Sequence, residues 1–165
     1  MVDLQENLNP AAFLEEEEDE DTQEDKYLTF LLGEEEYGVE IRYVVEIIGL
    51  QRITAVPDMP PYVKGVINLR GKVIPVMDVR LRFGMAERFY DDRTCIVVVN
   101  VAEQTVGLIV DRVSEVLNIP KSEIEPPAAV RKGASSRFVQ GMGKVGEEVK
   151  ILLNADRVLF DEGVW

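Results

Sequence analysis

From Tyr27 onward the chain is a series of short apolar runs separated by polar punctuation. "YLTFLL" and "YGVEI" flank "GEEE", a pattern that predicts a β-hairpin. "TCIVVVNV" and "TVGLIV" around "AEQ" predict a second one, and "RFVQGMGKVGEEVKILLN" reads as strand, turn, strand. In "VINLRGKVIPVMDV", beginning at Val66, Asn68 to Gly71 form a turn between two apolar runs. The unbroken run Val73, Ile74, Pro75, Val76, Met77 predicts a strand buried on both faces. "RYVVEIIGL" has two readings: Val44, Ile47 and Ile48 have helical spacing, whereas its β-branched residues favour a strand. "NADRVLF" predicts a short helix capped by Asn154. Many short strands between turn signals make the chain mainly β, a barrel or a sandwich with short helices.

The pattern also echoes itself. "YGVEIRYVVEII" (37–48) aligns without a gap on "VGLIVDRVSEVL" (106–117), placing Gly38 on Gly107, Val44 on Val113 and Glu46 on Glu115. "YVKG" (62–65) aligns on "FVQG" (138–141), and the same shift carries Val73 to Val149, Met77 to Leu153 and Asp78 to Asn154. Two similar small barrels packed together account for this order, as does coincidence between apolar patterns. Under that shift Arg70 falls opposite Gly146. A turn present twice with its arginine present once points to a role for Arg70 outside the fold.

Charge alters the picture at one end only. Of the 31 acidic residues, 11 lie in residues 1–25, where there is no basic one. The remaining chain carries 20 acidic and 18 basic residues, a net charge of −2 within the total of −13. "EEEEDEDTQED" (15–25) repels itself and has little to bury, so residues 1–25 are expected to be a disordered tail preceding one domain over 26–165. The tail reads either as a solubilising segment or as a docking segment for a basic partner. The near-neutral body argues against nucleic-acid binding. No apolar run approaches the roughly 20 residues of a membrane span, and the first residues lack a secretory pattern. A cytoplasmic protein without direct membrane insertion is expected.

Chemistry is sparse. The chain has no histidine, which removes histidine triads, HExxH zinc sites and histidine phosphotransfer. "GMGKVG" (141–146) fits G-x-G-x-x-G, but a dinucleotide site needs those glycines to open a helix, and "EEVKILL" reads as a strand. Cys95, the single cysteine, reads as a small core residue. "EPPAAV" (125–130) reads as a stiffened loop. No enzyme, no cofactor and no metal site is expected.

"EEYGVEIRYVVEIIGL", "VKGVINLRGKVIPVMDVR" and "VGLIVDRVSEVL" together resemble the CheW family of bacterial chemotaxis coupling proteins, over about Tyr27 to Phe160. The resemblance implies two intertwined five-stranded SH3-like barrels around a shared core. It implies a non-enzymatic adaptor between the cytoplasmic tip of methyl-accepting chemoreceptors and the regulatory domain of the CheA histidine kinase, recruited to membrane-associated receptor arrays. A CheW-like coupling protein of another receptor–kinase pathway, serving surface motility or gene regulation, is the alternative. Val44, Glu46, Gly65 and Arg70 stand where the family has receptor-coupling residues. In that role Val44 faces a groove between the barrels, Gly65 permits close approach, and Arg70 offers its guanidinium near Glu46 or to a receptor acid. The other reading makes Val44 core, Gly65 a turn and Arg70–Glu46 an internal pair. Glu125 and Val130 occupy places where well-known members use a basic and an aromatic residue for a second kinase contact, so a ring contact of different chemistry, or a weaker one, is expected there.

Overall fold

The structure, a computed structural model, describes residues 23–127 and 137–161. The expected tail lies almost wholly outside the described residues, as does Val130; Gln23 to Asp25 form a turn whose Asp25 carbonyl accepts from Ile119 N at 2.7 Å. Eleven strands are described: β1 Lys26–Leu32, β2 Glu35–Glu40, β3 Val44–Gly49, β4 Val63–Leu69, β5 Lys72–Asp78, β6 Cys95–Val101, β7 Gln104–Val110, β8 Arg112–Asn118, β9 Ile124–Glu125, β10 Val139–Val145 and β11 Glu148–Leu153. Two short helices follow β5 and β11: α1 Val79–Arg82 and α2 Ala155–Phe160. One sheet runs β3-β6-β7-β5-β4 and the other β8-β1-β2-β11-β10-β9. The second therefore has six strands rather than the expected five, because two residues, β9, add to the edge of β10.

The echo in the sequence is an echo in space. Phe30 pairs with Val113 across β1 and β8, and their counterparts Val99 and Val44 pair across β6 and β3. A bulge interrupts both ladders at the equivalent place, between Leu28 and Phe30 in one and between Val44 and Glu46 in the other. Leu152 lies opposite Gly38 and Val76 opposite Gly107 in the two parallel pairs. Both glycines sit where strands crowd: a Cβ on Gly107 falls 2.7 Å from Ile96 Cγ2, and one on Gly38 falls 3.0 Å from Leu152 Cδ2. The helices match too. Asp78 Oδ1 accepts from Leu81 N at 3.2 Å to cap α1, and Asn154 Oδ1 accepts from Arg157 N at 3.0 Å to cap α2, as its sequence signal predicts.

Among the described residues the buried apolar side chains form three cores. The largest lies between the sheets and takes Leu28, Phe30, Leu32, Val97, Val99 and Val101 from the equivalent strands β1 and β6. Ile96 and Val98, on the other face of β6, point into a smaller core with Ile67, Ile74 and Val76. Strand β6 thus has apolar partners on both faces, which is why "CIVVV" does not alternate. Aromatic rings join the halves through the main core: Phe30, Tyr37, Phe83 and Phe138 follow one another at centroid spacings of 6.0, 5.6 and 5.2 Å.

Two sequence readings need revision. The ambiguous "RYVVEIIGL" is a single 3-10 turn, Ile41–Tyr43, followed by strand β3. Val73 is not buried but 66 % exposed. Strand β7 covers β5 only from Val76 to Asp78, so the start of β5 has β4 beside it and solvent beyond.

Candidate functional site

Arg70 and Gly71 form the two-residue connection between β4 and β5, both at positive φ (52° and 84°). This is the tight hairpin turn whose twist suits the strands, and it favours Asn, Asp or Gly at its first position. Asn68 Oδ1 accepts from Gly71 N at 2.8 Å and holds it. A left-handed arginine costs about 1–2 kcal/mol relative to glycine. The equivalent turn of the other half has Gly146 at φ 62°. The fold has therefore placed a large cation where its backbone prefers something smaller. The Arg70 guanidinium hydrogen-bonds the Glu46 carboxylate. Arg70 follows β4 and Glu46 belongs to β3, so this pair joins the opposite edges of the five-stranded sheet and curls it toward closure. The Arg70 side chain remains 69 % exposed and that of Glu46 19 % exposed.

The structure brings Glu46 and Arg70 together and separates them from Val44. Val44 lies in the main core at 3 % exposure and faces no open groove. The cause is the β3 bulge between Val44 and Glu46, which breaks the two-residue alternation and turns Val44 inward while Glu46 faces out. The exposed apolar residue beside Glu46 is Val45, at 44 %. Gly65 lies within β4 rather than in a turn, at φ 146°. Glu125, in β9, pairs with Lys144 at 3.4 Å.

A second polar cluster, which sequence reasoning missed, lies at the seam between the halves. Arg80 of α1 grips both carboxylate oxygens of Asp111 at 3.0–3.2 Å, Arg88 reaches Asp111 Oδ2 at 2.9 Å, and Gly33 N donates to it at 2.7 Å. Its signal was a basic and an acidic residue within two of the quoted motifs, Arg80 in "VMDVR" and Asp111 in "LIVDR". The group borders a polar cleft of about 350 Å³ lined by Gly33, Arg88, Asp91, Asp92, Asp111 and Arg112 among others. Burial opposes ionisation of Asp111, but the hydrogen bonds from Arg80 and Gly33 prevail and hold its carboxyl below the usual range. Glu36 behaves alike: burial opposes its charge, and hydrogen bonds led by the one from buried Lys150 (2.7 Å) lower its pKa. Depressed carboxylates stabilise the fold above their unfolded pKa values, about 4, and lose that contribution as pH falls through the folded values. Stability is expected to be flat from pH 6 to 8 and to decline below about pH 4. Asp111→Asn should be less stable at pH 7 with a shallower acid limb in urea melts. An acid limb as steep as the parent's removes Asp111 from this account.

Among the described residues no group of three or more His, Cys, Asp or Glu side chains is placed to hold a metal ion. Gly141 to Val145 lie inside β10, Gly146 in the turn after it, and β11 follows, so "GMGKVG" opens no helix for a dinucleotide's phosphates. Cys95 is half-buried, and burial raises its thiol pKa.

The family model of the CheW-like domain matches residues 26–162. The chain belongs to the CheW-like family. CheW-like relatives include the chemotaxis protein CheW of Klebsiella aerogenes, 36 % identical over 137 residues, covering 83 % of this chain and 82 % of that protein. The chemotaxis protein CheW of Bacillus subtilis is 38 % identical over 139 residues, covering 84 % and 88 %. Among solved structures, the scaffolding protein TtCheW of Thermoanaerobacter tengcongensis superposes with a TM-score of 0.78 at 37 % identity, covering 84 % of this chain and 94 % of that one. The interlocked pair of sheets is thus the CheW-like fold.

Proposed function

We propose that this CheW-like chain is a non-enzymatic adaptor that couples the cytoplasmic tips of methyl-accepting chemoreceptors to the regulatory domain of a CheA-type histidine kinase. The observation that carries the reading is Arg70: a guanidinium displayed at a positive-φ turn, paired with Glu46, where the equivalent turn manages with glycine. The names of its relatives, chemotaxis CheW proteins and a scaffolding protein, support the same role. A chain without histidine has no phosphoacceptor of the kinase's kind, so it acts through binding: receptor state alters the packing of adaptor and kinase and so biases kinase activity. Residence in the cytoplasm with recruitment to receptor arrays follows from that role. Gly65 shapes the receptor surface, and Glu125 with Val130 supplies a second kinase contact of altered charge.

The test is reconstitution with receptor cytoplasmic fragments and kinase from the same cell. Co-sedimentation of all three is expected, with kinase autophosphorylation rising at least tenfold only when the chain is present. Equal kinase activity with the chain omitted rejects the reading.

A further inference from the structure

Residues 50–62 connect β3 to β4. They begin four residues after Glu46 and return along the strand that leads to Arg70. One point of this connection is fixed to the sheet. Thr54 N donates to Val66 O at 2.9 Å and Val66 N donates to Thr54 O at 2.9 Å, an isolated antiparallel bridge on the free edge of β4. Ile53 beside it packs against the smaller core. The bridge depends on Gly65. A Cβ at that position falls 2.1 Å from Thr54 O, 2.7 Å from Thr54 C and 3.0 Å from Ala55 Cα, and φ there is 146°. No side chain fits between these backbones.

What the bridge holds in place is mostly exposed. Leu50 and Val56 stand out as large apolar residues open to solvent, as does Val45 on the adjoining strand. Arg52 is exposed and forms no ion pair among the described residues. Arg70 stands four residues beyond the latched Val66, in the turn at the end of the same strand.

We propose that residues 50–62, latched to β4 through Thr54 and Val66, form a second wall of the receptor-coupling surface, and that Gly65 is a positioning residue acting through this latch rather than by touching the receptor. This rests on the coupling reading above. The partner that fits is an amphipathic helix of the receptor, with its apolar stripe on Val45, Leu50 and Val56 and acidic residues along its flank toward Arg52 and Arg70. Fixing the segment in advance reduces the ordering cost of binding.

The test uses the full chain and four variants: Gly65→Ala, Arg52→Glu with Val56→Ser, Arg70→Glu, and Val149→Ser as an exposed apolar control on β11. Measured are amide exchange at Thr54 and Val66, affinity for a receptor cytoplasmic fragment, and affinity for the kinase regulatory domain. Gly65→Ala is expected to speed exchange of both amides at least tenfold and to weaken receptor binding about tenfold, leaving kinase binding within twofold. The Arg52/Val56 variant should weaken receptor binding similarly with its amides still protected, and Val149→Ser should match the parent. If Gly65→Ala does not fold, the Arg52/Val56 variant decides. Parent-level receptor binding by that variant, while Arg70→Glu fails to bind, overturns the second wall and leaves the coupling site standing. Parent-level binding by Arg70→Glu as well overturns the coupling site itself.

Discussion

Arg82→Ala should lose about 3–5 kcal/mol of stability, a drop of roughly 10–15 °C in melting temperature for a chain of this size. Arg82 is the last residue of α1 and is 4 % exposed. Its Nε donates to Val158 O at 2.8 Å, and Nη2 donates to Arg157 O at 3.2 Å and Asp161 O at 2.8 Å. Those carbonyls lie at and just past the end of α2, where the carbonyl of Arg157 also accepts from Asp161 N at 3.0 Å and those of Val158 and Asp161 lie beyond that last helical bond. The guanidinium therefore caps one half's helix from the other half, and its charge meets the negative end of that helix. Tyr62 and Phe138 lie 4.6 and 4.8 Å from Cζ, supplying apolar contact and their ring faces. Alanine removes the three hydrogen bonds, takes the Arg82 donor from the carbonyls of Val158 and Asp161, and opens a cavity between two rings. Arg82→Met, which keeps most of the stem, should recover part of the loss. Urea and thermal melts followed by circular dichroism measure both variants. A shift under about 3 °C for alanine means that water replaces the cap without penalty.

Arg70→Glu should fold normally and abolish receptor-dependent kinase activation. The Arg70–Glu46 pair is too exposed to contribute more than about 1 kcal/mol to folding. Truncating a charge that becomes buried in a complex costs about 2–5 kcal/mol, so at least roughly 30-fold in affinity. Reversal adds repulsion from Glu46 and from an acidic partner. Arg70→Gly should lose coupling too, while remaining as stable as the parent because the turn prefers glycine. The decisive variant is the swap, Arg70→Glu with Glu46→Arg. It restores an internal ion pair but moves the cation onto β3. Coupling that stays lost shows that the receptor uses Arg70 itself. Recovery to the parent level shows that the pair only holds the sheet closed, and removes Arg70 from the receptor contact.

Apart from β8, whose "RVSEVLN" is mostly polar or part-exposed, and the two-residue β9, the strands were legible because they are short, apolar and bounded by Gly, Asn or acidic residues, and because Asn154 marks a helix start. Register within β3 was not. Strict alternation puts Val44 and Glu46 on one face, and the bulge that separates them has no local marker in "YVVEII". Val73 misled for another reason: an apolar run reads as doubly buried, but burial depends on how far a neighbouring strand extends, here only from Val76 onward. Arg82 and Asp78 were silent because a buried charged residue is explained by distant partners, Val158 in one case and Tyr90 Oη at 2.6 Å in the other. In the candidate site, residue type and position came through the family resemblance. The sequence did not disclose that Gly65 meets Thr54, since a glycine in a strand looks the same whatever backbone passes over it.

The reciprocal pairing of β1 with β8 and of β3 with β6 has a consequence for how the molecule can come apart. Each half lends two strands to the other's sheet, β1 and β2 one way and β6 and β7 the other, so neither owns a complete hydrogen-bonded set. Cutting the chain anywhere between α1 and β6 yields two fragments, each lacking the strands it borrowed and each exposing one side of the main core. Such pieces are built to complement one another rather than to survive singly. A pull on β3 is likewise carried straight into β6, so the molecule answers a load at one end as a single mechanical body.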